Sequence, residues 1–439
     1  MARAKSIPIR EALRKLFPST FLMSLAKSSG MMVRVRQVSP IDLFWTLVLG
    51  FGLGRTRTIA ALRRVYEKTT GRTIEESSFY DRFSDGLAKM LKAAVGHALS
   101  NSLGVGRALT GALTPFADVL LTDSTVVRLH DMLAPAFAAC RTHHTKAALK
   151  AHVIMSVTGK GHQSVKITSE RAHDGPVLCV GKWVRDRLFL FDLGYFRYQL
   201  FACIGRNGGY FLSRLKANAN PLIVGLNRVH RGRAVPVIGT RLRDCVDRLQ
   251  REVLDVEVKV RFERRRYAGR TRRDTQQLRV IGIRDQRTDD YHFYVTNIPP
   301  EKLAAEDIRA TYALRWQVEL LFKELKQSYR LDQMPSRKRH IVEALLYCAI
   351  LTLVVSRRLL DLIRRKLKGL EHRLPAQRWA HVFASVALDL LRIVTRPLRE
   401  VEELARKIGV LMIHEAVDPR KTRPGLLEAV ENRTHQYRV

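Results

Sequence analysis

Asp123, Asp192 and Glu319 are the acidic residues whose surroundings invite chemistry. Asp123 interrupts the apolar stretch VLLTDSTVV, Asp192 ends RLFLFDLGYF with Gly194 just behind it, and Glu319 lies in YALRWQVELLFKELKQ. A carboxylate set among apolar residues carries a desolvation penalty unless something pairs with it. Acidic oxygens converging from rigid elements can hold a pair of hard cations, and two-metal phosphoryl transfer requires such a set. Each of the three, taken alone, reads equally well as a capping or turn carboxylate. Their separations are 192 − 123 = 69 and 319 − 192 = 127 residues. No local motif joins them, so only a fold can.

The elements that must position them come next. Read as one helix at about 100° per residue, Tyr312–Gln327 places Tyr312 at 0°, Arg315 at about 300°, Glu319 at about 340° and Lys326 at about 320°. Leu314, Val318, Leu321, Phe322 and Leu325 fill the adjoining arc, a stripe suited to a core. One carboxylate, two cations and a phenol then line the edge of a buried face. The competing reading is a solvated face with a Glu319–Lys323 pair one turn apart. Glu324, about 140° round from Glu319, is expected to point elsewhere, as an exposed carboxylate.

Charge narrows the partner. Lys and Arg number 77 against 41 Asp and Glu, giving a net charge of +36 and a pI near 10.7, which implies a polyanionic partner. Nucleic acid fits best because each neutralised phosphate releases counterions; a membrane surface is the rival. With 46% hydrophobic residues and mean hydropathy −0.13, 439 residues describe a globular chain of about two to four units. Five scattered cysteines without a CxxC pair point to a reducing compartment and away from a disulfide framework. The N-terminus lacks an apolar signal segment, and the most apolar run, ALLYCAILTLVV, is too short to span a bilayer. The expectation is a cytoplasmic protein, chromosome-associated in a bacterium, without a membrane partner.

Residues 1–114 read as helical. Between 115 and 221 the texture turns to strands: VLLTDSTVVRL, AHVIMSVT, SVKITSE, RLFLFDLGY and YFLSRLK, with VLCVGKWVRD a candidate helix between the third and fourth. Residues 222–300 read as a separate β-rich insert. There Leu254, Val256, Val258, Val260 and Phe262 alternate with charged residues, and LRVIGIR and YHFYVTNI form a hairpin. Its loop RFERRRYAGRTRRD, including Arg264, Arg265 and Arg266 around Tyr267, is expected to be a phosphate-binding arm rather than a merely solvated run. From 301 the chain is helical: 301–370 carry the Glu319 helix, and 371–439 form a helical C-terminal region. Strands first and helices interleaved later indicate an α/β fold with a mixed sheet.

Tyr312-x2-Arg315-x3-Glu319-x6-Lys326 resembles the YREK signature of DDE transposases in the IS-four group of bacterial insertion sequences. DSTVVRLHD resembles that family's first-aspartate region and LFLFDLGYFRYQLFACIGRNGGYFLSRLKANAN its second; TKAALKAHVIMSV resembles the stretch after the first. The resemblance spans about residues 40 to 360. It implies an RNase H-like catalytic core at 115–221 and 301–370, interrupted by the β-strand insertion, with 1–114 binding DNA. It further implies that Asp123, Asp192 and Glu319 hold two Mg²⁺ ions, with Mn²⁺ able to substitute. Tyr312, Arg315 and Lys326 would contact phosphates of the element's end. Tyr291, Phe293, Tyr294 or Tyr267 would supply an aromatic for a flipped base, Tyr291 foremost.

The expected activity is cut-and-paste transposition on double-stranded DNA, at terminal inverted repeats and target, by a homodimer joined through the C-terminal helices. Three other readings stand beside it. A histidine–metal enzyme built on His130, His143, His144, His152, His162 and His173 lacks any regular ligand spacing. A DNA-binding regulator that has lost catalysis would be marked by a missing carboxylate. An RNase H-like metal-dependent nuclease would share the triad but would not need the YREK contacts.

Overall fold

The computed structural model describes residues 8–32, 38–51, 58–101, 108–140, 145–159, 161–228, 236–247, 249, 251–263, 272–332, 334–367, 369–421 and 425–432. Arg264, Arg265, Arg266 and Tyr267 lie outside the described residues, as do His143 and His144.

The N-terminal part is helical: α1 (Ile9–Leu16), α2 (Ser19–Ser28), α3 (Pro40–Phe51), α4 (Ile59–Thr70), α5 (Glu76–Tyr80) and α6 (Asp85–Asn101). Helix α3 is apolar nearly all round and is buried along most of its length, as such a helix must be. The stretches rich in β-branched and aromatic residues then form β1 (Asp118–Leu129), β2 (Ala147–Ser156), β3 (Ser164–Ser169), β4 (Arg187–Phe191) and β5 (Tyr210–Arg214). Between β3 and β4 lies the short α7 (Asp174–Val177), and between β4 and β5 lies α8 (Tyr198–Arg206). VLCVGKWVRD, a candidate helix, holds beyond the last residue of α7 at Val177 only a three-residue 3₁₀ turn at Lys182–Val184.

The later strands are β6 (Leu222–Leu226), β7 (Val253–Glu263), β8 (Arg273–Arg284) and β9 (Tyr291–Thr296), with α9 (Leu242–Val246) between β6 and β7. They are not a separate sheet. The nine strands form one mixed sheet in the order β3-β2-β1-β4-β5-β9-β8-β7-β6. Strand β9 pairs antiparallel with β5, so the second half extends the first. The free backbone edge that β5 would otherwise present is satisfied by β9, which favours continuation over a detached hairpin.

The remaining helices are α10 (Ala305–Ala313), α11 (Trp316–Gln327), α12 (Arg339–Lys366), α13 (Ala376–Thr395), α14 (Leu398–Ala416) and α15 (Leu426–Glu431). ALLYCAILTLVV lies in α12, whose 28 residues run through the core beside α6 and α3. No helix among the described residues is long and apolar enough to cross a membrane.

Two apolar clusters cover the two faces of the sheet. Val119, Leu121, Leu188, Leu190 and Leu212 join the helices in one, while Leu120, Phe189, Phe191 and Phe211 belong to the other. Successive strand residues point to opposite faces, so this division results from sequence alternation alone. A buried ion pair ties the long hairpin to the segment leading into α10. Arg279 donates from Nε to Asp255 Oδ1 at 2.9 Å and from Nη2 to Asp255 Oδ2 at 2.5 Å. Its Nη1 donates to the carbonyls of Leu303 and Ile298 on that segment. The helix pair carrying Glu319 is thereby anchored to the sheet.

Candidate active site

Strands β1 and β4 are parallel, with Leu121 beside Leu190. Two residues further along each strand stand Asp123 and Asp192. The pair separated by 69 residues therefore reaches the same level on neighbouring strands, which run roughly 4.8 Å apart. Asp192 stands just beyond the last paired residue of β4 and opens the 3₁₀ turn Leu193–Tyr195, so it ends its strand as the sequence suggests. Asp123 shares its face with Leu121, the face on which α11 packs.

The stretch Tyr312–Gln327 is not one continuous α-helix. Helix α10 ends at Ala313, and α11 begins at Trp316. Across the junction Arg315 N donates to Tyr312 O, Gln317 N to Leu314 O and Val318 N to Arg315 O. These three-residue spacings tighten the turn relative to an α-helix. The one-helix projection fails at that point, yet the side chains it grouped still converge. Arg315 Nη2 pairs with Glu319 Oε1 at 2.6 Å, and its Nη1 lies 3.7 Å from Asp123 Oδ2. One guanidinium thus stands between the first aspartate and the glutamate. Its Nε is buried without a partner.

The electrostatics agree with three acids meeting. Burial pushes the Asp123 carboxyl up to about 6, with Asp192 and Glu319 adding repulsion; the Ser124 amide and Arg315 work against the rise. Burial disfavours the Arg315 cation, but the bond to Glu319 and the nearby negative charge leave its pKa raised.

Tyr312 is buried, its ring edge-on to Tyr294 with centroids 5.4 Å apart. Its hydroxyl donates to the carbonyl of Phe191, one residue before Asp192, at 3.0 Å. Lys326, seven residues beyond Glu319 on α11, is half-buried and lies about 10 Å further along the helix. Trp316 and Leu320, one turn apart beside these residues, are 51% and 46% exposed. Sorting the helix by charge alone overlooks them. Tyr291 is partly buried, with its hydroxyl on the carbonyl of Arg251, its ring stacked on Phe293 and Arg284 over its face. It is not brought to Asp123, Asp192 or Glu319 by any of these contacts.

Glu324 corrects a second expectation. It is buried on the inner side of α11 and paired with Arg357 of α12, and burial raises its carboxyl pKa. It is therefore half of a core ion pair, not part of an exposed face.

Across the sheet from Asp123 lies a polar group that the sequence does not reveal. Asp174, the first residue of α7, accepts a hydrogen bond from Ser124 Oγ at 2.8 Å. Lys150 Nζ lies 3.5 Å from the same oxygen, and His152 Nδ1 lies 3.2 Å from it in a geometry too bent for a full hydrogen bond. His152 Nε2 is also 2.8 Å from Thr168 Oγ1. Burial works against the Asp174 charge, but His152, Ser124 and Lys150 outweigh it and hold its pKa down at about 2. Strand register was the missing signal: Ser124 faces His152 and Val126 faces Lys150 across β1 and β2. Other histidines have local tasks. His130 accepts from the amide of Met132, and His162 packs on Trp183.

Residues 114–355 match the family described as Transposase DDE domain. The chain is 20% identical over 377 residues to the transposase for insertion sequence element IS231B of Bacillus thuringiensis subsp. berliner, covering 79% of this chain and 78% of that protein. It is 19% identical over 376 residues to the transposase for insertion sequence element IS1151 of Clostridium perfringens, covering 79% of each. The match takes in both aspartates, Glu319 and the elements that carry them, and it spans more than half of the sequence; the chain belongs to the transposase DDE domain family.

Proposed function

We propose that this protein is the transposase of a bacterial insertion sequence of the IS-four group, cutting the element's ends and joining them to target DNA. The observation that carries the reading is the meeting of Asp123 and Asp192 at one level of two parallel strands, with Glu319 brought to them through Arg315. The β3-β2-β1-β4-β5 half of the sheet supports an RNase H-like core at 115–221 and 301–370, with 222–300 as the insertion. Residues 1–114 bind the element's ends, and 371–439 join two protomers. A net charge of +36 suits double-stranded DNA as the partner. A regulator without catalysis is disfavoured because all three carboxylates are in place.

Family membership implies divalent metal, and the donor set fits hard cations: three carboxylates, with neither thiolate nor imidazole among them. Among the described residues no three such side chains already stand close enough to hold an ion. The Arg315 guanidinium occupies the middle of the group instead. Asp123, Asp192 and Glu319 are the residues that would hold two Mg²⁺ ions, or Mn²⁺ in their place. Bound there, the metal supplies Lewis acidity and a lowered water pKa.

The remaining chemistry belongs to the chain. Arg315 leaves the carboxylates for a phosphate of the DNA end, where its planar fork matches two oxygens. Lys326 adds a second positive charge further along α11. Trp316 and Leu320 offer a flat apolar surface to a nucleobase. Tyr312, through the Phe191 carbonyl, steadies the strand end that presents Asp192, and it reaches phosphate only by giving up that bond. Water attacks the phosphodiester and its 3′ oxygen leaves as a 3′-OH; that hydroxyl then attacks a phosphodiester of the target, whose own 3′ oxygen leaves in turn, without a covalent enzyme intermediate.

The test uses purified protein, Mg²⁺ and labelled DNA carrying the ends that flank the gene. Asp123→Ala and Asp192→Ala should abolish nicking and leave DNA binding intact. Cutting at the wild-type rate by both variants refutes the triad.

A further inference from the structure

We infer that Asp174 is a positioning residue for the two aspartates, acting through Ser124 and the turn that begins after Asp192. This rests on the reading of Asp123 and Asp192 as metal-holding residues. Ser124 directly follows Asp123 in β1, and its side chain points through the opposite face of the sheet. Its hydroxyl donates to Asp174 Oδ1 at 2.8 Å. The same carboxylate is held from β2 by Lys150 at 3.5 Å and His152 at 3.2 Å. Asp174 therefore fastens the middle of β1 to β2 at the level where Asp123 emerges.

It also lies beside the other aspartate's support. Helix α7 packs against the turn Leu193–Tyr195, and a Cβ on Gly194 would lie 3.7 Å from Asp174 Oδ2. The buried Gly175 has the Arg197 stem against it, since a Cβ there would come within 2.9 Å of Arg197 Cδ. Lys150 Nζ donates to Ala172 O and Lys166 Nζ to Val177 O, so both ends of α7 are pinned to the sheet. The carboxylate is thus wedged between the strand carrying Asp123 and the turn starting at Asp192. The β1–β2 ladder holds Asp123 opposite Val153, and Phe191 and Tyr195 on either side of Asp192 lie in an apolar core. Direct pairing between β1 and β4 runs from Asp118–Arg187 to Leu121–Leu190, two residues short of the aspartates, and Asp174 bridges the two elements beyond it. With its positive partners around it, Asp174 reads as a brace and not as a fourth ligand.

The experiment measures binding of Mn²⁺ alone to full-length protein by electron paramagnetic resonance, with thermal unfolding as a folding control. Asp174→Ala should weaken Mn²⁺ binding about 10- to 100-fold, as loss of a ligand's support typically does. Asp174→Asn keeps the acceptor for Ser124 and should recover part of the loss. Ser124→Ala removes only the one hydrogen bond and should weaken binding by about two- to tenfold. It serves as the measurement if Asp174→Ala does not fold. Binding unchanged in Asp174→Ala, or in Ser124→Ala should the former not fold, overturns the inference. So do equal losses in Asp174→Ala and Asp174→Asn, because they would indicate charge and not position. Asp123→Ala and Asp192→Ala run in parallel. Wild-type affinity in both sinks the metal-site reading itself, whereas a loss in both with Asp174→Ala unaffected sinks only the brace.

Discussion

Replacing Asp123 by Asn removes an ionised carboxylate from a partly buried place beside two other acids. Without metal, the Asp123 carboxyl titrates near 6, against about 3.8 for the free side chain. Its folded pKa is raised, so proton binding favours the native state below about pH 4, and that stability is lost as pH climbs through 6. A difference of about two units at roughly 1.4 kcal/mol each makes the ionised form cost about 3 kcal/mol at pH 7. That is an upper figure, since about a fifth of the side chain is open to solvent. Asp123→Asn should therefore stabilise the metal-free protein at pH 7 and do so much less at pH 4. At roughly 2.1 cal/mol/K per residue, a chain of 439 residues that melts as one unit gains a Tm rise of about 3 °C. Differential scanning calorimetry in EDTA at the two pH values is the assay, with nicking of the element's end measured alongside. Stability would rise as activity vanishes, the trade expected where like charges are gathered for function. An equal change in Tm at both pH values, or a fall at pH 7, would refute the argument that burial, with the neighbouring acids adding to it, raises the Asp123 carboxyl here.

The same geometry sets the other outcomes. Glu319→Gln keeps its shape and loses the anionic oxygen, so cleavage of labelled ends should fall by orders of magnitude. Glu324→Gln, which an exposed face would render silent, should instead lower Tm, because it leaves Arg357 short of its buried partner. Asp255→Ala or Arg279→Ala should destabilise by about 3–5 kcal/mol in denaturant unfolding, since both partners are only 4% exposed and either charge would be left alone. Replacing Arg264, Arg265 and Arg266 together by Ala should flatten the salt dependence of DNA binding by about 0.9 in log–log slope for each phosphate no longer neutralised. An unchanged slope in filter binding would return that run to a solvated role.

Much of this protein is written locally. Strands β1 to β5, β8 and β9 are legible as short β-branched and aromatic runs, continuously apolar where a strand is covered on both faces, and β7 as strict alternation. The burial of ALLYCAILTLVV is set by its length and composition, and Asp123, Asp192 and Glu319 are legible as acids among apolar neighbours, although each alone reads equally well as a capping or turn carboxylate. The charge of +36 speaks for a polyanion whatever the fold. Periodicity, however, reports only that a residue meets something apolar, and not which element it meets or at what level. Only β-pairing put Asp123 beside Asp192. Only the packing of α12 on α11 turned Glu324 into half of a buried ion pair, at a position whose angle on the helix looked solvent-facing. The tightened turn at Leu314–Arg315 broke a projection that assumed 3.6 residues throughout, yet Arg315 still reached both Asp123 and Glu319. Asp174 was invisible for the same reason as the register. Its partners Ser124, Lys150 and His152 lie 22 to 50 residues away in sequence, and they become neighbours only when β1 and β2 pair. Distances across a sheet are set by backbone hydrogen bonds between strands, and no one segment of the chain contains both halves of that information.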